Sequence, residues 1–321
     1  MRCLLKHFGI VLLAVFVLSM AADVAVAQQQ GMVPGQSAGA VNDSELWRSI
    51  RNGAEGLIQS EGDNWRALRN GPVSTWGGYL MGLMVFACIA FFLARGRVRV
   101  EHGMSGRMVS RFSMTERVVH WYVAVLFVLL ALTGLTLLFG KYVFIPVFGK
   151  AAFAVLADLS KQSHNLLGPL FILGVIAMFI VYVKENMPRA IDMDWITKGG
   201  ILFRGDVPSW KYNVAEKIWF WLAIIAGVAL SFTGVFMDFP FISSGTEQLQ
   251  LFSIIHAIGA VIVIAAAIGH IYIGTIGVEG AFDGMVTGEV DENWAKEHHS
   301  LWAEEEATPA ASEGGAVEPA E

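Results

Sequence analysis

Cysteine is almost absent from this chain. Cys3 and Cys88 are the whole complement, so once the N-terminal stretch is cleaved no internal disulfide can form. Charge is scarce too: only 16% of residues are Asp, Glu, Lys or Arg, against 55% hydrophobic, and the mean hydropathy is +0.55. A soluble globular protein of this length does not show that balance, so the lipid bilayer is the expected solvent. The net charge of -6 misleads as a whole-chain figure, because acids crowd the stretch Glu279 to Glu321 while Lys and Arg cluster in loops. Nothing in that distribution supports nucleic-acid binding.

The apolar residues fall into a definite order. Residues 1–27 combine Arg2 and Lys6, an apolar stretch from Phe8 to Met20, and Ala25-Val26-Ala27 before Gln28, the pattern of a secretory signal peptide. Residues 28–75 are polar and read as a periplasmic arm, with a helix expected over Ser44 to Ile58. Five stretches near the ~20 residues needed to span a bilayer follow: Trp76 to Ala94, Val118 to Phe139, His164 to Val183, Ile218 to Met237, and Leu251 to Ile276. The Arg/Lys-rich loops 95–117 and 184–217 are expected on the cytoplasmic side. The loop from Phe239 to Gln250 has no basic residue and that from Gly140 to Ser163 only three, so these are expected outside. The mature N-terminus is then periplasmic and the acidic tail 277–321 cytoplasmic, in a bacterial inner membrane. The fold class expected is an all-α integral membrane protein: a four-helix core over 118–276 with one additional N-terminal transmembrane helix, 76–94.

Ser113 with Glu116, and Asn213 with Glu216, have capping-box spacing just before a span. An internal repeat runs through the same positions. Thr115-Glu116-Arg117-Val118-Val119-His120-Trp121 aligns with Ala215-Glu216-Lys217-Ile218-Trp219-Phe220-Trp221, and Thr133-Gly134 with Thr233-Gly234 at the same offset. One copy has Phe220 where the other has His120, so the element does not demand an imidazole there.

Of the eight histidines, His7 lies in the signal segment, His102 in a charged loop, and His298 and His299 in the acidic tail; no functional role is expected of these. The other four fall at or within spans, where an ionisable group is costly. His256 and His270 are 14 residues apart on one helix, hence on nearly the same face and about 21 Å apart along the axis. One metal ion would instead require ligands at i, i+3 or i, i+4 spacing. Depth pairs His270 with His120 near the cytoplasmic face and His256 with His164 near the periplasmic face. Two iron porphyrins, each between two imidazoles, account for all four; with no C-x-x-C-H run, they would be held by ligation and packing alone. Gly134 and Gly168 would let a macrocycle approach the backbone.

Specific motifs sharpen the reading. Glu116-Arg117-x-x-His120-Trp121, Ser163-His164-Asn165, Lys211-Tyr212-Asn213 and the run His270-Ile271-Tyr272-Ile273-Gly274-Thr275-Ile276-Gly277-Val278-Glu279-Gly280-Ala281 resemble the gamma, cytochrome b, subunit of membrane-bound formate dehydrogenases of the N type, from about Arg111 to His299. The resemblance implies a dihaem core with two haem b groups. It also implies a molybdenum or tungsten formate dehydrogenase catalytic subunit and an iron–sulfur subunit as periplasmic partners. Electrons would pass from the periplasmic haem to the cytoplasmic one and on to a quinone, menaquinone or ubiquinone, beside His270 and the loop Asn213 to Ala215. Ala215 stands where the family would have glycine. The chain would thus be an electron-transfer subunit that does no formate chemistry itself. The histidine pattern alone also admits a nickel–iron hydrogenase cytochrome b subunit, and a haem-free membrane anchor is the alternative from another class.

Overall fold

The computed structural model describes residues 60–198 and 207–313; the expected signal peptide, most of the arm and its Ser44–Ile58 helix lie outside the described residues. Among the described residues, five helical segments are long and apolar enough to cross a membrane: Asn64–Arg95, Met114–Val143, Ile145–Tyr182, Val214–Asp238 and Thr246–Gly277. With this pattern the chain is an all-α, multi-pass membrane protein.

Helix α1 (Ser60–Leu68) continues through one wide turn containing Pro72 into α2 (Ser74–Arg95). There is thus no break at the expected arm boundary at 75. Trp65 Nε1 donates to Ser253 Oγ at 2.6 Å, and Arg69 donates to the Leu137 carbonyl at 3.2 Å, so this entry segment is tied to the bundle. The core is two hairpins. The first is α3 (Met114–Val143) with α4 (Ile145–Tyr182); the second is α6 (Val214–Asp238) with α7 (Thr246–Tyr272), after the short α5 (Ile191–Thr197). Both capping boxes form, with Ser113 and Asn213 accepting from the backbone N–H of Glu116 and Glu216.

The expected loop from Gly140 to Ser163 is instead almost wholly helical. Its Lys150 to Gln162 run is Ala-rich with no breaker, and Pro146 sits in the first turn, where its missing N–H costs nothing. Only Gly149, at φ 78°, interrupts the helical backbone there. Hence His164 lies deep within α4 and does not begin a helix.

Within each hairpin the helices pack along their length, α4 packs on α6, and α2 covers α7 from outside. In contrast α3 scarcely touches α7, and α4 and α7 hardly meet at all. Close approaches where packing is tight are made through glycine. A Cβ on Gly174 would lie 2.9 Å from Val123 and 3.0 Å from Tyr122 across the α3–α4 contact, and one on Gly227 would lie 2.9 Å from Val175 across α4–α6.

Beyond α7 a wide turn (Ile273–Gly277) leads to α8 (Ala281–Thr287), α9 (Glu292–His298) and α10 (Ser300–Glu313). Strands β1 (Met108–Ser110) and β2 (Glu289–Asp291) pair antiparallel, so the described part of the expected acidic tail is folded against the loop before α3. Val290, Trp294, Ala295 and Trp302 form a small core with Val100. This cap closes the bundle end that carries the Arg/Lys-rich loops, hereafter the basic end.

Packing through glycine gives a paired expectation. Gly174→Ala forces α3 and α4 apart and should cost about 1–3 kcal/mol. Gly82→Ala, whose Cβ meets nothing within 4 Å, should be neutral or slightly stabilising. Thermal unfolding of the detergent-solubilised variants checks both.

Candidate functional site: two imidazole pairs and the cap above them

The structure brings His120 of α3 to His270 of α7, with ring centroids 6.2 Å apart and planes at 57°, and His164 of α4 to His256 of α7, at 6.0 Å and 68°. Each pair therefore joins two helices that do not pack directly on one another. All four rings are half-buried. Two metal–nitrogen bonds of about 2 Å, with about 1.1 Å more from each nitrogen to its ring centre, give a centroid separation of about 6.2 Å for imidazoles on opposite sides of one ion. Both pairs fit that spacing. It is too long for a direct hydrogen bond between ring nitrogens facing along the same line.

The pair farther from the basic end is oriented from behind. Thr133 donates its hydroxyl proton to the Leu129 carbonyl at 2.8 Å, and its oxygen lies 2.9 Å from His164 Nδ1. Thr233 donates to the Ala229 carbonyl at 2.8 Å and lies 2.9 Å from His256 Nδ1. A hydroxyl has one proton to give. With that proton on a carbonyl, each histidine donates its Nδ1–H to the threonine in the tautomer whose Nε2 keeps its lone pair free to bind a metal. The adjacent glycines clear the approach: a Cβ at Gly134 would lie 3.2 Å from His164 Cε1, and one at Gly234 3.5 Å from His256 Cε1. A Cβ on Gly168 would meet nothing within 4 Å.

At the basic-end pair the surroundings are aromatic. Trp219 stacks on His270 at 4.7 Å and 15°, and Trp121 meets His120 edge-on at 5.3 Å. The indole N–H of Trp121 donates to the Met285 carbonyl, tying α3 to α8. His120 Nδ1 is buried with no hydrogen-bond partner among the described residues.

Asn213 and Ala215 open α6 about one to two turns before Trp219. Asn213 Oδ1 accepts from Glu216 N at 3.1 Å and its N–H donates to Glu216 Oε2 at 2.9 Å; Ala215 is exposed. This helix start is held by a buried cluster that the sequence did not expose. Arg111, its side chain 4% exposed, donates to the Lys211 carbonyl, to Glu216 Oε1 and to His299 Nε2 at 2.8 Å. Its guanidinium lies over Phe112 and Trp294, at 4.8 and 4.9 Å. With Nε2 accepting, His299 donates Nδ1–H to the Trp210 carbonyl at 2.8 Å. Nearby, Lys211 pairs with Glu116 at 2.6 Å and Lys217 with Asp192 at 2.8 Å. His298 stacks on Trp294 at 4.7 Å. The two tail histidines, given no role above, are thus parts of the cap. Trp294 and Trp302 flanking them at helical spacing are the sequence signal for it.

Burial first, and the facing Arg111 guanidinium second, hold His299 down at about pKa 3, although Glu216 and the Trp210 carbonyl pull the other way. His298 is lowered as well, chiefly by burial.

The comparisons with known proteins agree with a cytochrome geometry. The profile of the prokaryotic cytochrome b561 family matches residues 111–288, just over half of the chain. The chain is 27% identical over 206 residues to the nitrate-inducible formate dehydrogenase cytochrome b556(Fdn) subunit of Escherichia coli K12, covering 62% of this chain and 92% of that one. It is 29% identical over 202 residues to the formate dehydrogenase cytochrome b556(fdo) subunit of the same strain, covering 61% and 92%. With the formate dehydrogenase cytochrome b556 subunit of Haemophilus influenzae the figures are 27% over 216 residues, 65% and 87%.

Because His299 is neutral when folded and protonates near pH 6.5 when released, the unfolded form binds the extra proton between about pH 3 and 6.5. Stability is complete above that window and falls as pH drops through it, by about 1.4 kcal/mol per unit. Acidification from pH 7 to 5 should therefore loosen the cap, seen as a change in tryptophan emission, and His299→Gln should flatten the dependence.

Proposed function

Since the chain belongs to the prokaryotic cytochrome b561 family, we propose that it is the membrane cytochrome b subunit of a formate dehydrogenase. It carries electrons from a periplasmic iron–sulfur subunit through two b haems to a quinone on the cytoplasmic side, and anchors the complex. The observation that carries this reading is the pair of imidazole couples, both near 6 Å, set about 21 Å apart along α7. The named relatives favour formate dehydrogenase over hydrogenase.

His120 and His270 would hold one haem and His164 and His256 the other. When bound, these groups supply one-electron redox centres at two depths of the bilayer. The residues do the remaining work. Thr133 and Thr233 present the free Nε2 atoms of one pair. Trp219 and Trp121 wall the other, and the capping box of Asn213 and the Arg111–Glu216–His299 cluster fix the start of α6, where Asn213 and Ala215 would border the quinone. By the positive-inside rule the Arg/Lys-rich loops favour a cytoplasmic cap, and quinone would draw its protons from that side. Each electron moved inward against the membrane potential costs about 2.3 kcal/mol per 100 mV. The oxidation of formate would belong to a molybdenum or tungsten subunit, with this chain doing none of it.

His270→Ala should leave one haem per chain by pyridine haemochrome and abolish quinone reduction, while formate still reduces the remaining haem. Retention of both haems would refute the assignment. The native complex, isolated through this chain, should bring down an iron–sulfur subunit and a molybdopterin subunit.

A further inference from the structure

The two imidazole pairs are not supported alike. His164 and His256 each have Nδ1 within 2.9 Å of a threonine hydroxyl that is itself anchored on a helix carbonyl. At the other pair, His120 Nδ1 is buried without a partner among the described residues, and His270 is stacked on Trp219. The threonines occupy equivalent places in the internal repeat, each followed by a glycine under its histidine ring. Thr233 is almost fully buried, at 2% exposure. Each pairing also crosses from the first helix of a hairpin to the second, over 31 residues in one hairpin and 23 in the other. The arrangement has therefore survived a change in loop length.

From this asymmetry we infer that Thr133 and Thr233 are positioning residues for the His164–His256 pair, fixing ring orientation and tautomer and holding the haem there at a lower potential than its partner. The inference rests on the haem reading above. The physical route is short. A hydroxyl that donates to a carbonyl becomes a better acceptor, and an imidazole whose Nδ1–H is engaged is a more basic ligand at Nε2. A more basic ligand favours ferric over ferrous iron. His120 lacks that help, so the group it holds is the easier to reduce. Given the proposed orientation, the lower-potential site faces the electron donor and the higher-potential site faces the quinone, which draws electrons inward against the membrane field.

The test is redox potentiometry on the intact complex, following the b-haem absorption bands, with haem content and low-spin ferric electron paramagnetic resonance spectra measured in parallel. Thr133→Val with Thr233→Val removes both hydroxyls at nearly constant shape; Thr133→Ser with Thr233→Ser keeps them. Loss of such support changes metal-site equilibria by about tenfold or more. The lower-potential wave should therefore rise by ~59 mV or more for this one-electron couple in the Val form, with the upper wave unmoved and the Ser form like the unaltered protein. Loss of that haem from the Val form alone, with the Ser form intact, supports the inference equally. Coincident waves in the unaltered complex, a Val form indistinguishable from it, movement of the upper wave instead, or a Ser form that fails along with the Val form would each overturn it. If the unaltered complex holds fewer than two haems per chain, the haem reading itself fails, a result separate from any of these.

Discussion

A neutral imidazole in hydrocarbon has to place two ring nitrogens, and this bundle brings four such rings together in two facing pairs. At the pair far from the basic end, one nitrogen of each ring is taken by a threonine, and the two rings face each other with centroids 6.0 Å apart. Leaving polar atoms unpaired there would cost several kcal/mol each. The helix packing follows from the same need. α3 packs on α4, α4 on α6 and α6 on α7, while α7 is kept off α3 and α4, the helices whose histidines face its own. Helices in direct packing lie about 8–10 Å apart, too close to admit a ligated macrocycle between their side chains. Glycine is used where contact is wanted, as at Gly174 and Gly227. It is used again at Gly134, where a Cβ would press on the His164 ring, and at Gly234, where a Cβ would reach contact with His256.

What was legible in the sequence was what periodicity and length determine. Five apolar runs became five long helices, and both capping boxes formed, because these depend only on neighbours within a turn or on gross hydropathy. The resemblance carried by the His270 to Ala281 run agrees with relatives that share most of their own length with this chain. The Gly140 to Ser163 connection was misread because polarity at Lys150, Asp158 and Lys161 looks like a loop, whereas helix propensity and the absence of a breaker decide it. The cap was invisible for a different reason. Arg111, Glu216 and His299 are brought together across 105 and 188 residues of chain, and neither spacing nor composition encodes such a meeting.

That cap also shows why charged residues at the basic end are not simply a topogenic signal. Arg111 is buried, and removing a single partner from a buried charged cluster leaves a charge that nothing else satisfies, a loss of about 3–5 kcal/mol. The cluster has several hydrogen-bonded members, so the penalty is met locally. Its effect is to make the start of α6 rigid: the same Glu216 that bonds Arg111 closes the capping box with Asn213. A small-molecule site at that helix start would be bordered by backbone and side chains that cannot drift.

The repeat explains how one bundle comes to have two unequal sites. Each hairpin supplies a Thr-Gly step on its first helix and a histidine on its second, and together these make one symmetric pair. The second pair cannot be made in the same way, because the position equivalent to His120 is Phe220, which is buried at 7% exposure in the core cluster that also holds Tyr212 and Tyr182. The missing imidazole comes from farther along α7, where His270 lies four turns beyond His256. The two pairs then lie about 21 Å apart along α7, within a hydrocarbon layer about 30 Å thick. A strictly duplicated hairpin would have met His120 with an imidazole at position 220, at the same basic end of the bundle. It is the departure from duplication, Phe220 on one side and His270 on the other, that makes the two imidazole pairs unequal in their surroundings.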